Sequence, residues 1–205
     1  MFNYLHGKSA TTAFVLLQSP IHREYCFYFQ ELFRKEDIYA TVAEYKSYNN
    51  RDKFGGKIWY KTVVMRSKAL TCLNSLRVIF YPHAELVGDN ICCHYYNVGK
   101  KAFPDFPLSP VTLLHLYLGD GSLTKYNGRS IRITLNTCDF SIKENKVFAT
   151  RLASTLNVPR KEVRIGFTNG KFKGYPQICL RKKVSLKLLD YIPNPNLECF
   201  KHKFC

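Results

Sequence analysis

The chain has 205 residues, 46% hydrophobic and 15% aromatic, with 31 Lys+Arg against 15 Asp+Glu for a formal net charge of +16. That apolar content can fill one substantial core or two small ones and excludes a disordered chain, and no apolar run approaches the length of a membrane span. So large a cationic excess calls for a polyanion, with nucleic acid the first candidate and an anionic membrane surface the second.

In chain order, Ala13 to Ser19 reads as a strand, Pro20 to Phe33 as a helix, Ile58 to Arg66 as a strand and Ser67 to Phe80 as a second helix. Residues 82–108 carry Gly88, Gly99, Pro104 and Pro107 with little periodicity and read as a linker. The second half repeats the order of the first: Ser130 to Asn136 as a strand, Ser141 to Leu156 as a helix, Val163 to Phe167 and Lys171 to Leu180 as a hairpin turning at Asn169-Gly170, and Val184 to Tyr191 as a closing helix. Cys26, Cys72, Cys138 and Cys179 stand singly in apolar segments, which suits small hydrophobes in a reducing compartment. Cys199, His202 and Cys205 have a loosely zinc-like spacing without a fourth ligand, and a frayed tail is expected there.

Between the halves, Ser109 is an N-cap and Pro110 suits the first helical position. Leu113, Leu114, Leu116, Tyr117 and Leu118 make the helix that follows apolar nearly all round, so burial between other elements is expected. Gly121 is the natural stop. Asp120 then falls in the last turn, where the helix dipole disfavours an anion unless a cation lies close by.

Leu113 to Gly121, LLHLYLGDG, resembles the LAGLIDADG motif of homing endonucleases, with Asp120 at its penultimate acidic position and His115 where the founding motif has glycine. Leu17-Gln18-Ser19 with His22 to Tyr25, Arg66 to Leu76, and Asp190 to Pro193 are similar, in the same order, to other passages of the two-repeat, single-chain branch, so the resemblance covers nearly the whole chain. It implies an α+β fold of two αββαββα-like repeats related by a pseudo-twofold, each with a curved antiparallel sheet, together forming a nucleic-acid-binding saddle. Residues 1–81 would be the first repeat, 82–108 the linker and 109–205 the second repeat. Met1 to Gly7 resembles only the exit from a motif helix, so the first motif helix is expected to be absent from the chain as given.

The resemblance also implies a site. Asp120, with the carbonyl of Gly119, would hold Mg2+; Gln18 matches a glutamine that positions water, with Cys138 as its counterpart in the second repeat. Arg66 and Arg181 stand where active relatives favour lysine, and arginine keeps the charge but cannot pass a proton. Period two places Lys171, Lys173, Tyr175 and Gln177 on one strand face, Arg132, Thr134 and Asn136 on another, and Tyr60 and Thr62 on a third, as donors for phosphates and base edges. The preferred reading is a catalytically degenerate, intron-encoded type of protein that binds RNA, either intron or ribosomal, as a monomer or as a subunit of a larger ribonucleoprotein. The alternative is an active Mg2+-dependent endonuclease for double-stranded DNA, which needs a second acidic metal ligand. Family habit places either in a mitochondrion or chloroplast.

Overall fold

A computed structural model describes residues 13–51, 57–71, 86–87, 90–91, 103–126, 130–168 and 174–204, with backbone alone at 47–51, 57–60, 86–87, 90–91, 126 and 130. It is of the α+β class, with helices and antiparallel sheets in two compact units.

The first unit contains β1 (Val15–Gln18), α1 (Arg23–Lys35), β2 (Ala40–Arg51), β3 (Lys57–Ser67) and the short pair β4 (Leu86–Val87) and β5 (Asn90–Ile91). Its main sheet has the order β1-β3-β2, all antiparallel. On α1, the spacing of Tyr25, Cys26, Phe29 and Phe33 makes one apolar stripe. That stripe meets Ala40, Val63 and Met65, and Phe14, Leu16 and Val42 complete the core. Arg23 pairs with Glu44 at 2.8 Å across the same interface. β2 goes unpredicted because Glu44 and Lys46 take positions on the α1 side where an alternating pattern wants apolar residues. The register that pairs Glu44 with Val63 resolves this, since Glu44 has Arg23 to face. The expected helix from Ser67 does not begin there. Ser67 ends β3, its buried hydroxyl accepting from Phe14 N–H at 2.9 Å, and Lys68 to Thr71 are not helical; residues 72–80 lie outside the described ones.

The second unit runs α2 (Pro110–Asp120), β6 (Gly121–Tyr126), β7 (Ser130–Leu135), α3 (Ile142–Thr155), β8 (Val163–Phe167), β9 (Pro176–Leu180) and α4 (Lys182–Tyr191), the αββαββα order that the resemblance implies. The sheet order is β6-β7-β9-β8. β6 reads in sequence as a helix exit because Leu123 is its one aliphatic side chain. Pairing along its whole length with β7 makes it a strand nonetheless. Ile133, Leu135, Ile178, Leu180 and Val163 point to the buried side, where Phe148, Leu152, Val184 and Leu188 of the helices meet them. Polar groups inside this layer are satisfied: Ser185 Oγ accepts from Ile133 N–H and donates to Leu180 O, and Asn145 donates to Thr137 O, Phe140 O and Ser141 O. The end of the expected linker is not loose either. Phe103 stacks on Phe140 and Phe148 with centroids 3.8 and 4.3 Å apart, and Arg151 donates to Pro104 O and Phe106 O.

Candidate nucleic-acid interface

The motif helix α2 begins as its residues dictate, with Ser109 Oγ accepting from Thr112 N–H at 3.1 Å and Pro110 in the first turn. Burial is a stripe rather than a full girdle. Leu113, Leu114, Tyr117 and Leu118 are buried, whereas His115 and Leu116 are half-buried and Val111 is exposed. Desolvation pushes the His115 imidazole below its ordinary pKa.

The stop at Gly121 does not use glycine's left-handed freedom, because its φ is −90°. What it uses is the missing Cβ, which would overlap both Cδ2 and the carbonyl oxygen of Tyr117. The bare backbone lets a third party reach the helix end. Lys203 Nζ donates to Tyr117 O at 3.1 Å, Leu118 O at 2.8 Å and Gly121 O at 2.7 Å. Tyr117 returns its hydroxyl to Lys203 O at 2.6 Å, and the ammonium lies 5.4 and 5.0 Å from the ring centroids of Tyr117 and Phe200. The expectation of a frayed tail is therefore corrected: Glu198–Lys203 is a 3-10 turn, with Phe200 and Lys203 buried. Part of the cation that the helix dipole asks for is supplied by the chain itself. Nothing in the local sequence distinguishes Lys203 from exposed Lys201; the buried Phe200, three positions before Lys203, is the one signal.

Asp120 is exposed at the end of α2, and its carbonyl accepts from Asn136 N–H at 2.9 Å, which carries the β6–β7 ladder one step into the helix. Gly119 beside it is in open space. The thiol of Cys138 is pushed above its usual value, chiefly by burial and then by the carboxylates of Asp139 and Asp120. One carboxylate and one carbonyl suit an oxygen-seeking cation such as Mg2+ but make only one side of a site. Among the described residues no group of three or more His, Cys, Asp or Glu could hold a metal ion.

From Asp120 the register builds a polar face on the side of the sheet away from α3 and α4. One row crosses all four strands as Ser122, Thr134, Cys179 and Arg164, about 14 Å wide at ordinary strand spacing. Thr124 and Arg132 form the next row, and Gln177 with Gly166 a third on the Asp120 side. Arg132, Arg164 and Tyr175 are exposed and Thr134 and Gln177 half-buried, opposite fully buried Ile133, Ile178 and Leu180. The alternation expected for Arg132, Thr134, Asn136, Tyr175 and Gln177 is thus present. β9 itself starts only at Pro176, Tyr175 preceding it, and Lys171 and Lys173 lie outside the described residues. Arg164, Ser122 and Thr124 are additional members of this face; the alternation of Val163, Arg164 and Ile165 is the signal for the first, and the other two follow from recognising β6.

The expected catalytic set is less clustered. Arg181 is the exposed N-cap of α4, one step past Leu180, which pairs with Ile133. It therefore belongs at the Arg132 end of the sheet, roughly 13 Å along the strands from the level of Asp120 and Asn136. In the first unit, Gln18 pairs with Val63 and so shares the α1 side, whereas Arg66 pairs with Val15 and Thr41 on the opposite side, with Thr62. Tyr60 pairs with Ser47 and has the parity of Thr62; its side chain lies outside the described ones.

An αββαββα unit whose motif helix ends in an exposed acid above a polar sheet face defines a class of homing-endonuclease-like scaffold. The LAGLIDADG DNA endonuclease family model matches residues 5–167, and the chain belongs to that family. Among solved structures it is similar to the homing endonuclease I-WcaI bound to its DNA recognition sequence, with a TM-score of 0.69 at 14% identity over 100% of this chain and 80% of that one. No curated protein matches the sequence.

Proposed function

We propose that the chain binds nucleic acid on the sheet faces turned away from the helices, as a catalytically degenerate family member whose target is RNA, an intron or ribosomal RNA held singly or within a ribonucleoprotein. The observation that carries the binding is the second unit's polar face, where exposed Arg132 and Arg164 flank a row of hydroxyl and amide donors in a chain of net charge +16. Guanidinium groups at two-residue and two-strand intervals suit a phosphate chain, and the donors between them suit base edges or riboses. Degeneracy is favoured by arginine at 66 and 181, and by a protonated thiol at Cys138 beside Asp120 in place of a water-positioning amide.

A second reading is an active endonuclease for double-stranded DNA, favoured by the exposed Asp120 carboxylate beside the open Gly119. In that case these two groups would contribute to holding Mg2+, which when bound supplies an activated water and charge neutralisation at phosphate. The deciding experiment is incubation of a random duplex library with and without Mg2+, run beside RNA crosslinking in the native source. RNA adducts without duplex breaks support the degenerate reading; Mg2+-dependent double-strand breaks that vanish in Asp120→Asn replace it with the second.

A further inference from the structure

The first unit holds a constellation separate from the second unit's polar face, at the end of the sheet where β2 begins and β3 finishes. α1 is closed by Asp37 in the left-handed region (φ 55°), whose N–H donates to Arg34 O at 3.1 Å while Ile38 N–H donates to Phe33 O at 2.9 Å. This fixed turn delivers Tyr39 to the sheet, where Lys68 N–H donates to Tyr39 O at 2.7 Å and lengthens the β2–β3 ladder by one pair. Thr41 is the direct cross-strand partner of Arg66. Period two then puts Tyr39, Thr41, Arg66 and Lys68 on one face, with Ala40 and Ser67 turned into the core. Together with Ser67 they line an open depression of about 480 Å³.

The chemistry of this lining is specific. Among the described residues no carboxylate lines it, and Glu44, further along β2, is on the opposite face and engaged by Arg23. Among the described residues neither Arg66 nor Lys68 is in an ion pair. Tyr39 is 70% exposed, a ring with a free face. Two cations about 7 Å apart along a strand can share one phosphate between long side chains, while the ring offers a stacking platform and Thr41 a hydroxyl. A base inside an intact duplex has both faces covered by its neighbours and cannot use that platform; an unpaired base can.

We propose that this depression binds one unpaired nucleotide of a folded RNA, with the base on Tyr39 and its phosphate between Arg66 and Lys68. The assignment rests on the nucleic-acid reading above and adds the kind of element recognised. It is tested on the full chain by fluorescence anisotropy with an RNA hairpin bearing an unpaired loop and with a fully paired RNA of the same stem. Tyr39→Ala should weaken hairpin binding about tenfold, the worth of one base stacked on an aromatic ring, leave the paired RNA within twofold, and be rescued by Tyr39→Phe. Lys68→Gln should lower the salt slope of hairpin binding by about one. Equal affinity for the same hairpin in DNA, with the same Tyr39 effect, keeps the pocket and assigns recognition to base and phosphate alone. An unchanged hairpin affinity in Tyr39→Ala, or an equal loss for hairpin and paired RNA, overturns it. If the wild type binds neither oligonucleotide, the broader reading fails by itself, and an adenosine 5′-monophosphate titration followed by amide NMR decides the pocket. Shifts at Tyr39, Thr41 and Lys68 that vanish in Tyr39→Ala sustain it, and their absence overturns it.

Discussion

The two units use one strand frame and finish it differently. β1-β3-β2 in the first and β7-β9-β8 in the second share order and antiparallel sense, each with a helix between the first and second strands in sequence, α1 or α3. The first unit fills its core with aromatic rings, Phe14 stacking on Phe29 at 5.7 Å and Tyr25 meeting Phe29 edge-on at 5.0 Å. The second sets its aromatic stack of Phe103, Phe140 and Phe148 beside a sheet layer of aliphatic side chains and satisfied polar groups, and among the described residues it adds α2 and β6, whose junction is fastened by a buried lysine. A shared frame therefore leaves the placing of cations free. The first unit gathers Arg66 and Lys68 around a tyrosine, whereas the second spreads Arg132 and Arg164 over a broad face and spends Lys203 on its own helix end.

That contrast can be broken most forcefully at Lys203. Lys203→Met removes three charge-assisted hydrogen bonds from the end of α2, so it should cost about 3 kcal/mol or more in urea unfolding. Exposed Lys201→Met should stay within about 0.5 kcal/mol, and equal effects would show that the ammonium is not the fastener. Gly121→Ala should cost about 2 kcal/mol through overlap with Tyr117, while Gly119→Ala, with nothing within 4 Å of the new methyl, should gain up to about 1 kcal/mol from helix propensity. Reversal of that order in thermal melts would mean the junction relaxes around a side chain.

Binding sharpens the contrast further. Arg132→Ala with Arg164→Ala should lower the salt slope of nucleic-acid binding by about two, and an unchanged slope would move the interface off this face. Asp120→Asn should leave affinity within twofold, since an exposed acid contributes little to holding a polyanion; collapse of binding would make Asp120 a structural residue.

The smallest effect concerns pH. Burial holds His115 neutral in the folded chain below its ordinary pKa of 6.5, so the unfolded chain takes the proton first as pH falls. The stability this contributes is complete above about pH 6.5 and is lost as pH drops through the lower folded value. His115→Gln should flatten the acid limb of the stability profile, and an unaltered limb would assign it to carboxylates instead.

Much of the fold was legible because its signals are local. Ser109 and Pro110 start α2, Ser141 caps α3 by accepting from Glu144 N–H at 3.2 Å, and Ile133, Leu135, Ile178 and Leu180 alternate with polar neighbours. β2 and β6 escaped because their stability comes from partners rather than composition: Glu44 faces Arg23, and β6 is carried by β7. The site was legible as a set of residue types, and less so as a cluster. Alternation predicts which face Arg132 or Arg66 takes, but the level of Arg181 relative to Asp120 depends on strand register.

By itself the sequence carried the motif Leu113 to Gly121, through which it resembles its family, and it determined the motif helix with its terminal acid and the cationic character, since caps, period and composition act over a few residues. Only the tertiary structure decided that Lys203 fastens the end of that helix, that Gly121 is needed for close approach rather than for a left-handed turn, and that Tyr39 and Thr41 meet Arg66 and Lys68. The first and last of these join positions far apart in the chain, 82 residues in the case of Gly121 and Lys203, and no local preference encodes a contact that exists only once the sheet has closed.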